Sequence, residues 1–146
     1  MAERATEQIT IAAPPARCLE VILDFERYPE WAGDIREVEV VEHDEEGRGT
    51  KVAYRAAAMG RSARYTLEYD LSDAPHRVSW KLVEGDIMRV LDGSYTFDAQ
   101  DGGSLVTYHL EVDLIVPIPG FVKRRAEGKI MGTALRELKR RVESES

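Results

Sequence analysis

The sequence predicts an α+β fold in which a curved antiparallel sheet of about seven strands wraps onto a long C-terminal helix. Between residues 35 and 113, apolar and polar residues alternate, which is typical of strands with one covered and one solvated face. From residue 121 onward, apolar residues recur at the spacing of an amphipathic helix. That helix requires an apolar surface, and the covered face of the sheet is the largest one available.

Two short elements precede this sheet. A strand is predicted over residues 8–11, and Pro14 and Pro15 stop it because proline cannot donate to a sheet. A helix follows over residues 16–25, where apolar residues recur at helical spacing. The segment 28–31, Tyr-Pro-Glu-Trp, breaks that helix and predicts a second, one-turn helix that ends near Gly33.

Turn residues divide the segment 35–113 into six strands. Glycine, proline and aspartate are common in turns because they adopt or stabilise turn conformations. The predicted breaks are Asp44-Glu45-Glu46-Gly47, Met59-Gly60, Asp73-Ala74-Pro75, Glu84-Gly85-Asp86 and Gln100-Asp101-Gly102-Gly103.

Alternation within these strands assigns their faces. Residues of one parity are apolar or aromatic, and the other parity, which includes Thr66, Glu68, Lys81, Thr107 and His109, is expected to face solvent. The residues expected to face the last helix are Ala63, Tyr65, Leu67, Tyr69, Val78, Trp80, Leu82, Leu91, Tyr95, Phe97, Val106, Tyr108 and Leu110.

The last helix is predicted over residues 121–142, after a stiff proline-rich connector at 116–120. Its apolar stripe is Val122, Ala126, Ile130, Ala134, Leu138 and Val142. Gly128 and Gly132 lie inside it, although each costs up to about 1 kcal/mol relative to alanine. Close approach to a strand, room for a ligand and helix flexibility are three explanations that the sequence leaves open.

Length and composition predict one globular domain over residues 1–146. Hydrophobic residues make up 43% and charged residues 32%, proportions that exclude a disordered or fibrous chain. Cys18 is the single cysteine, so no internal disulfide forms, and the Cys and His spacing offers no metal site. No cofactor is expected.

Charge and hydropathy restrict the partners and the location. The net charge of -7 argues against nucleic acid as a partner. No apolar run approaches the roughly 18 residues of a membrane span, and no signal-peptide pattern follows Met1. A cytoplasmic protein is therefore expected.

The order of elements and two motifs resemble a known superfamily. The motifs are Asp24-Phe25-Glu26-Arg27-Tyr28-Pro29-Glu30-Trp31 after the first helix and Pro117-Ile118-Pro119-Gly120 before the last. The chain resembles the START and birch-pollen-allergen-like superfamily over nearly its whole length, and within it the bacterial polyketide cyclase/dehydrase and lipid-transport group. This resemblance implies a helix-grip fold whose cavity, between sheet and last helix, takes lipids, quinones, sterols or polyketides. Members include carriers and enzymes.

Many large residues on the covered face have a polar tip that needs a hydrogen-bond partner when buried. Either the protein itself supplies those partners, as in an ordinary core, or the tips line a cavity and orient an oxygenated apolar ligand. The number of such tips favours the cavity. The candidate ligand-binding residues are Tyr65, Leu67, Tyr69, Trp80, Leu82, Arg89, Leu91, Tyr95, Tyr108, Leu110, Ile130 and Ala134.

Arg89 shares its parity with the apolar residues of the strand 87–98. An arginine that points inward needs an anion or several acceptors, so Arg89 is a candidate to bind a carboxylate or carbonyl of the ligand. Alternatively, a nearby strand end or a bulge exposes it to solvent. His43 and His76 fall in turns and His109 on the wet face, so no histidine is expected in the cavity and no catalytic residue is assigned.

Basic residues are concentrated in the last helix of an otherwise acidic chain. They are Lys123, Arg124, Arg125, Lys129, Arg136, Lys139, Arg140 and Arg141. A solvated helix face with intrahelical ion pairs explains them, and so does a surface that makes transient contact with an anionic membrane.

Three functions follow from these observations. The favoured hypothesis is binding or transfer of a small hydrophobic ligand without catalysis, because no acid–base set is recognisable. The alternatives are a polyketide aromatase/cyclase or dehydratase, which the resemblance and Arg89 motivate, and a structural or interaction domain whose pocket is filled.

Overall fold

Seven strands, two α-helices and a 3-10 helix make up the computed structural model, which describes residues 3–58, 61–115 and 119–144. In chain order the elements are β1 (Glu3–Ile11), α1 (Pro15–Leu23), the 3-10 helix (Phe25–Glu30), β2 (Ile35–His43), β3 (Gly49–Ala58), β4 (Arg61–Asp70), β5 (Arg77–Gly85), β6 (Met88–Gln100), β7 (Gly103–Leu114) and α2 (Gly120–Ser144). The strands form one antiparallel sheet in the order β1-β7-β6-β5-β4-β3-β2. This is the predicted helix-grip arrangement.

The element boundaries differ from the prediction mainly near the N-terminus. β1 begins at Glu3 because it pairs with β7 along its whole length, from Glu3 opposite Val112 to Ile11 opposite Ser104. The 3-10 helix begins at Phe25, which is buried, so the chain turns there and not at Tyr28. The predicted break at 59–60 and residues 116–118 of the predicted connector lie outside the described residues.

The predicted faces of the sheet are confirmed. Residues of the covered parity are buried or half-buried, and Val78 and Val106 have no exposed surface. On the opposite face, Glu68, Lys81 and His109 are exposed, and Thr66 and Thr107 are half-buried. The register explains this outcome, because direct partners such as Tyr95 and Tyr108 project on the same side of the sheet.

The C-terminal half of α2 attaches the helix to the rest of the fold. Leu135, Leu138 and Val142 are buried in the core. Polar contacts fix the same half, since Glu143 accepts a hydrogen bond from the Ala12 N–H at 2.9 Å and Glu137 accepts one from the Gly33 N–H at 3.0 Å. Within the described residues, no helix is long and apolar enough to cross a membrane.

The sheet divides between β5 and β6. Residues Arg77–Trp80 of β5 pair with residues Gly93–Thr96 of β6. Beyond this segment, β5 remains paired with β4, and β6 remains paired with β7. The carboxylate of Asp92 spans the division, accepting a hydrogen bond from the Leu82 N–H at 2.9 Å.

Candidate ligand-binding cavity

A cavity of about 210 Å³ lies between the concave face of the sheet and the helices. Ile22, Tyr28 and Trp31 line it from the α1 side, and Thr133 and Ala134 line it from α2. The sheet supplies the rest of the wall, chiefly Tyr54, Ala56, Ala63, Tyr65, Leu67, Tyr69, Trp80, Met88, Leu91, Tyr95, Tyr108, Leu110, Val112 and Leu114. The wall is therefore mostly apolar and aromatic.

Cross-strand pairing assembles the aromatic part of this wall. Tyr95 and Tyr108 are direct partners on β6 and β7, and their rings stack with centroids 4.6 Å apart. Trp80 packs against both, at 5.3 Å from Tyr95 and 5.8 Å from Tyr108. Tyr54 and Tyr65 are partners on β3 and β4 and stack at 5.1 Å. The rings form the aromatic part of the cavity lining.

The tyrosine hydroxyls fall into two groups. The Tyr28 hydroxyl donates to the Ile22 carbonyl, and the hydroxyls of Tyr54 and Tyr69 bond to each other. The hydroxyls of Tyr65, Tyr95 and Tyr108 have no hydrogen-bond partner among the residues that the structure describes. Buried phenols normally have one, so these three groups are available to a ligand.

Burial strengthens the preference of these phenols for the neutral form, which an exposed tyrosine also takes at physiological pH. Desolvation raises the pKa of Tyr65, Tyr95 and Tyr108 above the ordinary tyrosine value, and the nearby Asp34 carboxylate raises that of Tyr65 further. The three side chains are consequently neutral at physiological pH. A neutral phenol donates one hydrogen bond and accepts others, so the cavity offers donors to an uncharged acceptor oxygen.

Charged and imidazole groups contribute little to the wall. Asp34 is the carboxylate among the described lining residues, and it is exposed. His109 lies on the outer face, where its Nδ1 is 2.7 Å from the Thr6 hydroxyl, and the Nδ1 of His76 lies 3.9 Å from Asp98. In the described ranges, no three His, Cys, Asp or Glu side chains are placed to hold a metal ion.

Comparison with known proteins identifies the family. The model of the family described as polyketide cyclase/dehydrase and lipid transport matches residues 2–143. The chain belongs to this family. No curated protein sequence matches it significantly.

Solved structures share the fold of this family member. A START superfamily protein from Mycobacterium smegmatis is 19% identical, with a TM-score of 0.89 over 98% of this chain and 99% of the other. A protein from Thermus thermophilus is 26% identical, with a TM-score of 0.82 over 99% of both chains. The Zhui aromatase/cyclase from Streptomyces sp. R1128 is 15% identical, with a TM-score of 0.82 over 98% of this chain and 94% of the other.

The structure brings most of the candidate residues of this family member together. The cavity wall contains Tyr65, Leu67, Tyr69, Trp80, Leu91, Tyr95, Tyr108, Leu110 and Ala134. Leu82 is half-buried against the core but does not line the cavity, because β5 leaves β6 after Trp80. The side chain of Ile130 lies outside the described residues.

Arg89, a candidate ligand-binding residue, lies on the protein surface and not in the cavity wall. Its side chain is 67% exposed, and its Nη1 lies 3.6 Å from a carboxylate oxygen of Asp113. The register of β6 against β7 shifts between Met88 and Val90, so Arg89 is the extra residue of a bulge. A bulge reverses the parity of the residues before it, and Met88 takes the inward position that alternation predicts for Arg89.

Several lining residues were not among the candidates. Tyr54 and Ala56 share the parity of the buried Val52 on β3, so the alternation of that strand contains the signal. The bulge reverses the parity of Met88, so alternation along the strand does not indicate that Met88 faces the cavity. Tyr28 and Trp31 lie in and just after the 3-10 helix, where no period indicates which side faces inward.

Proposed function

We propose that this member of the polyketide cyclase/dehydrase and lipid transport family binds a small, flat, apolar molecule that carries an acceptor oxygen, and releases it unchanged. The observation that carries the proposal is the set of three phenol hydroxyls, on the half-buried Tyr65 and Tyr95 and the buried Tyr108, without a described hydrogen-bond partner. A ligand carbonyl, quinone or phenol oxygen would satisfy them.

The size of the cavity restricts the ligand. Its volume of about 210 Å³ exceeds the ~150 Å³ of an engineered cavity that binds benzene and is below the ~300 Å³ at which typical drug-sized pockets begin. A molecule of one or two fused rings suits this volume. A long-chain lipid or a polyketide of several rings would require the cavity to expand.

The shape and polarity of the wall support a flat ligand. Tyr95 and Tyr108 stack almost in parallel, with 21° between their ring planes, and Trp80 lies beside both. A flat ring gains contact with such a surface without ordering many rotatable bonds. Because the phenols are neutral donors, the wall favours an uncharged acceptor oxygen over a carboxylate.

A matched pair of ligands tests the proposal. 1-Tetralone and tetralin share a bicyclic skeleton, and only tetralone carries a carbonyl oxygen. We expect the protein to bind tetralone more tightly in calorimetric titrations. The double variant Tyr95→Phe/Tyr108→Phe keeps both rings and removes both hydroxyls, so we expect roughly tenfold weaker tetralone binding and little change for tetralin.

Tyr28→Phe is the matched control, because it removes a hydroxyl that the Ile22 carbonyl already occupies. It should lower stability by about 1 kcal/mol and leave the ratio of the two affinities unchanged. Equal affinities of the unmodified protein for tetralone and tetralin would contradict the oxygen requirement. If the protein bound palmitate more tightly than it bound either tetralone or tetralin, the size limit would be contradicted.

Polyketide cyclisation remains the second candidate. The likeness to the Zhui aromatase/cyclase supports the shared fold, while the exposure of Arg89 removes the cation that motivated this hypothesis. Incubation with linear polyketide chains and a search for cyclised products by mass spectrometry tests it. A product that disappears in Tyr95→Phe/Tyr108→Phe would favour an enzyme over a carrier.

A further inference from the structure

The basic residues of α2 form two groups with different surroundings. Near the C-terminus, Lys139 donates to the Thr10 carbonyl at 2.6 Å and to Glu143 at 2.7 Å, and Arg141 pairs with Glu30 at 2.9 Å. These cations hold the helix on the fold. Arg124, Arg125 and Lys129, in the first half of α2, are exposed and form no ion pair with any described carboxylate.

Exposed apolar side chains accompany the second group. Phe121 is 65% exposed, Ile115 48% and Val122 37%. Among the described residues, five large hydrophobic side chains are this exposed, and these three lie within eight positions of the chain, at the end of β7 and the start of α2. We call Ile115, Phe121, Val122, Arg124, Arg125 and Lys129 the helix tip.

Helical spacing places the two kinds of residue together. Phe121, Arg125 and Lys129 follow one another at intervals of four, so they project from one face of α2. An aromatic residue beside cations is the composition of helices that lie in a membrane interface, where the ring enters the headgroup region and the cations meet phosphate.

The distribution of charge over the protein restricts which surfaces the helix tip can bind. The net charge is -7, whereas residues 119–129 carry four cations against the single carboxylate of Glu127. An anionic surface therefore repels most of the molecule and attracts the tip, which orients the approach. No tip residue lines the cavity, so the tip can be tested separately from ligand binding.

We propose that the helix tip docks on an anionic lipid bilayer, with Phe121 and Val122 in the headgroup region and Arg124, Arg125 and Lys129 against lipid phosphates. Docking there presents the first half of α2, which has no buried side chain among its described residues, to the membrane. The buried C-terminal half keeps the helix attached to the core.

Vesicle flotation tests the proposal. We expect the full chain to float with vesicles of phosphatidylcholine and phosphatidylglycerol, to stay unbound with phosphatidylcholine alone, and to dissociate as salt is raised. Arg124→Gln/Arg125→Gln should weaken the partition coefficient roughly 30-fold. Phe121→Ser should weaken it roughly tenfold. In Phe121→Trp, the new tryptophan emission should shift to the blue when mixed vesicles are added.

Arg136→Gln/Arg140→Gln is the matched control, since it removes two exposed cations from the same helix outside the tip. It should reduce binding much less than Arg124→Gln/Arg125→Gln does. Equal losses in the two double variants would overturn the proposal, and so would an absence of binding to mixed vesicles. Sedimentation that shows a dimer lost in Phe121→Ser would also overturn it, in favour of a protein interface.

Discussion

At the scale of single residues, a glycine determines how the cavity wall is built. Gly93 is the partner of Trp80 across β5 and β6. A Cβ atom added at Gly93 would lie 2.9 Å from the Trp80 ring and 2.4 Å from the His109 carbonyl oxygen, closer than real side chains approach. The missing side chain is therefore what leaves room for the Trp80 ring, which is tilted by 45° against Tyr95 and by 51° against Tyr108.

Gly93→Ala should accordingly destabilise the protein and disturb the cavity. Because the nearest atom is backbone, relief requires a strand to move, and we expect a loss of about 1–3 kcal/mol in the free energy of unfolding. Urea denaturation measures it, and Trp80 emission should change in the folded state. Unchanged stability together with unchanged tetralone binding would contradict this account of the wall.

At the scale of elements, α2 is anchored at one end by a carboxylate. The Lys139 ammonium and then the Ala12 N–H bind the Glu143 carboxylate and lower its pKa below the ordinary glutamate value. A lowered folded-state pKa means that the unfolded chain takes up this proton first as pH falls. Glu143 thus contributes fully to stability at pH values above its pKa in the unfolded chain. This contribution is lost as pH falls through its lower pKa in the folded state.

Glu143→Gln should make stability less sensitive to acid. Wild-type Tm is expected to fall as pH drops through about 4.3 and below, and the variant should show a smaller fall over the same range. Thermal melts at a series of pH values measure both. Glu45→Gln, at an exposed turn residue, is the control and should follow the wild-type curve. Parallel curves for Glu143→Gln and wild type would show that this anchor contributes nothing.

In the first half of α2, Gly128 has open space around it, and no described neighbouring element packs against it. A Cβ atom added there has no described heavy atom within 4 Å. Close approach to a strand therefore does not explain this glycine. Gly128→Ala should raise the free energy of unfolding by about 0.5–1 kcal/mol through helix propensity alone, as measured by urea denaturation. A destabilised variant would reveal a packing requirement at this position.

At the scale of the whole molecule, the six tyrosines of the chain share one property. Burial raises the pKa of each of them above the ordinary value. The folded state therefore holds its phenolic protons more tightly than the unfolded state does. Stability from this source is complete below about pH 10, the pKa of an exposed tyrosine, and decreases as pH rises further.

Spectrophotometric titration should detect this coupling. We expect no tyrosinate absorbance at pH values where an exposed tyrosine ionises, followed by a steep rise that coincides with the loss of far-ultraviolet circular dichroism. Each phenol ionises only when the fold opens. A fraction of the tyrosines that ionises near pH 10 while the dichroism is intact would contradict the burial of those side chains.

Periodicity and turn residues together predicted the order of elements, and periodicity predicted the covered face from Ala63 to Leu110 and the attachment of the last helix through Leu138 and Val142. These features follow from local patterns, because alternation marks strands and three- to four-residue spacing marks helices wherever one side is buried. The same patterns predicted that tyrosines and Trp80 share one side of the sheet, which the register confirms.

Only the tertiary structure decided the orientation of Arg89 and the state of the tyrosine hydroxyls. A bulge between Met88 and Val90 depends on pairing with β7, which lies more than twenty residues further along the chain. The hydroxyls of Tyr54 and Tyr69, on the neighbouring strands β3 and β4, bond to each other, whereas those of Tyr65, Tyr95 and Tyr108 have no described hydrogen-bond partner. Such outcomes depend on distances between strands, and a linear pattern carries no information on those distances.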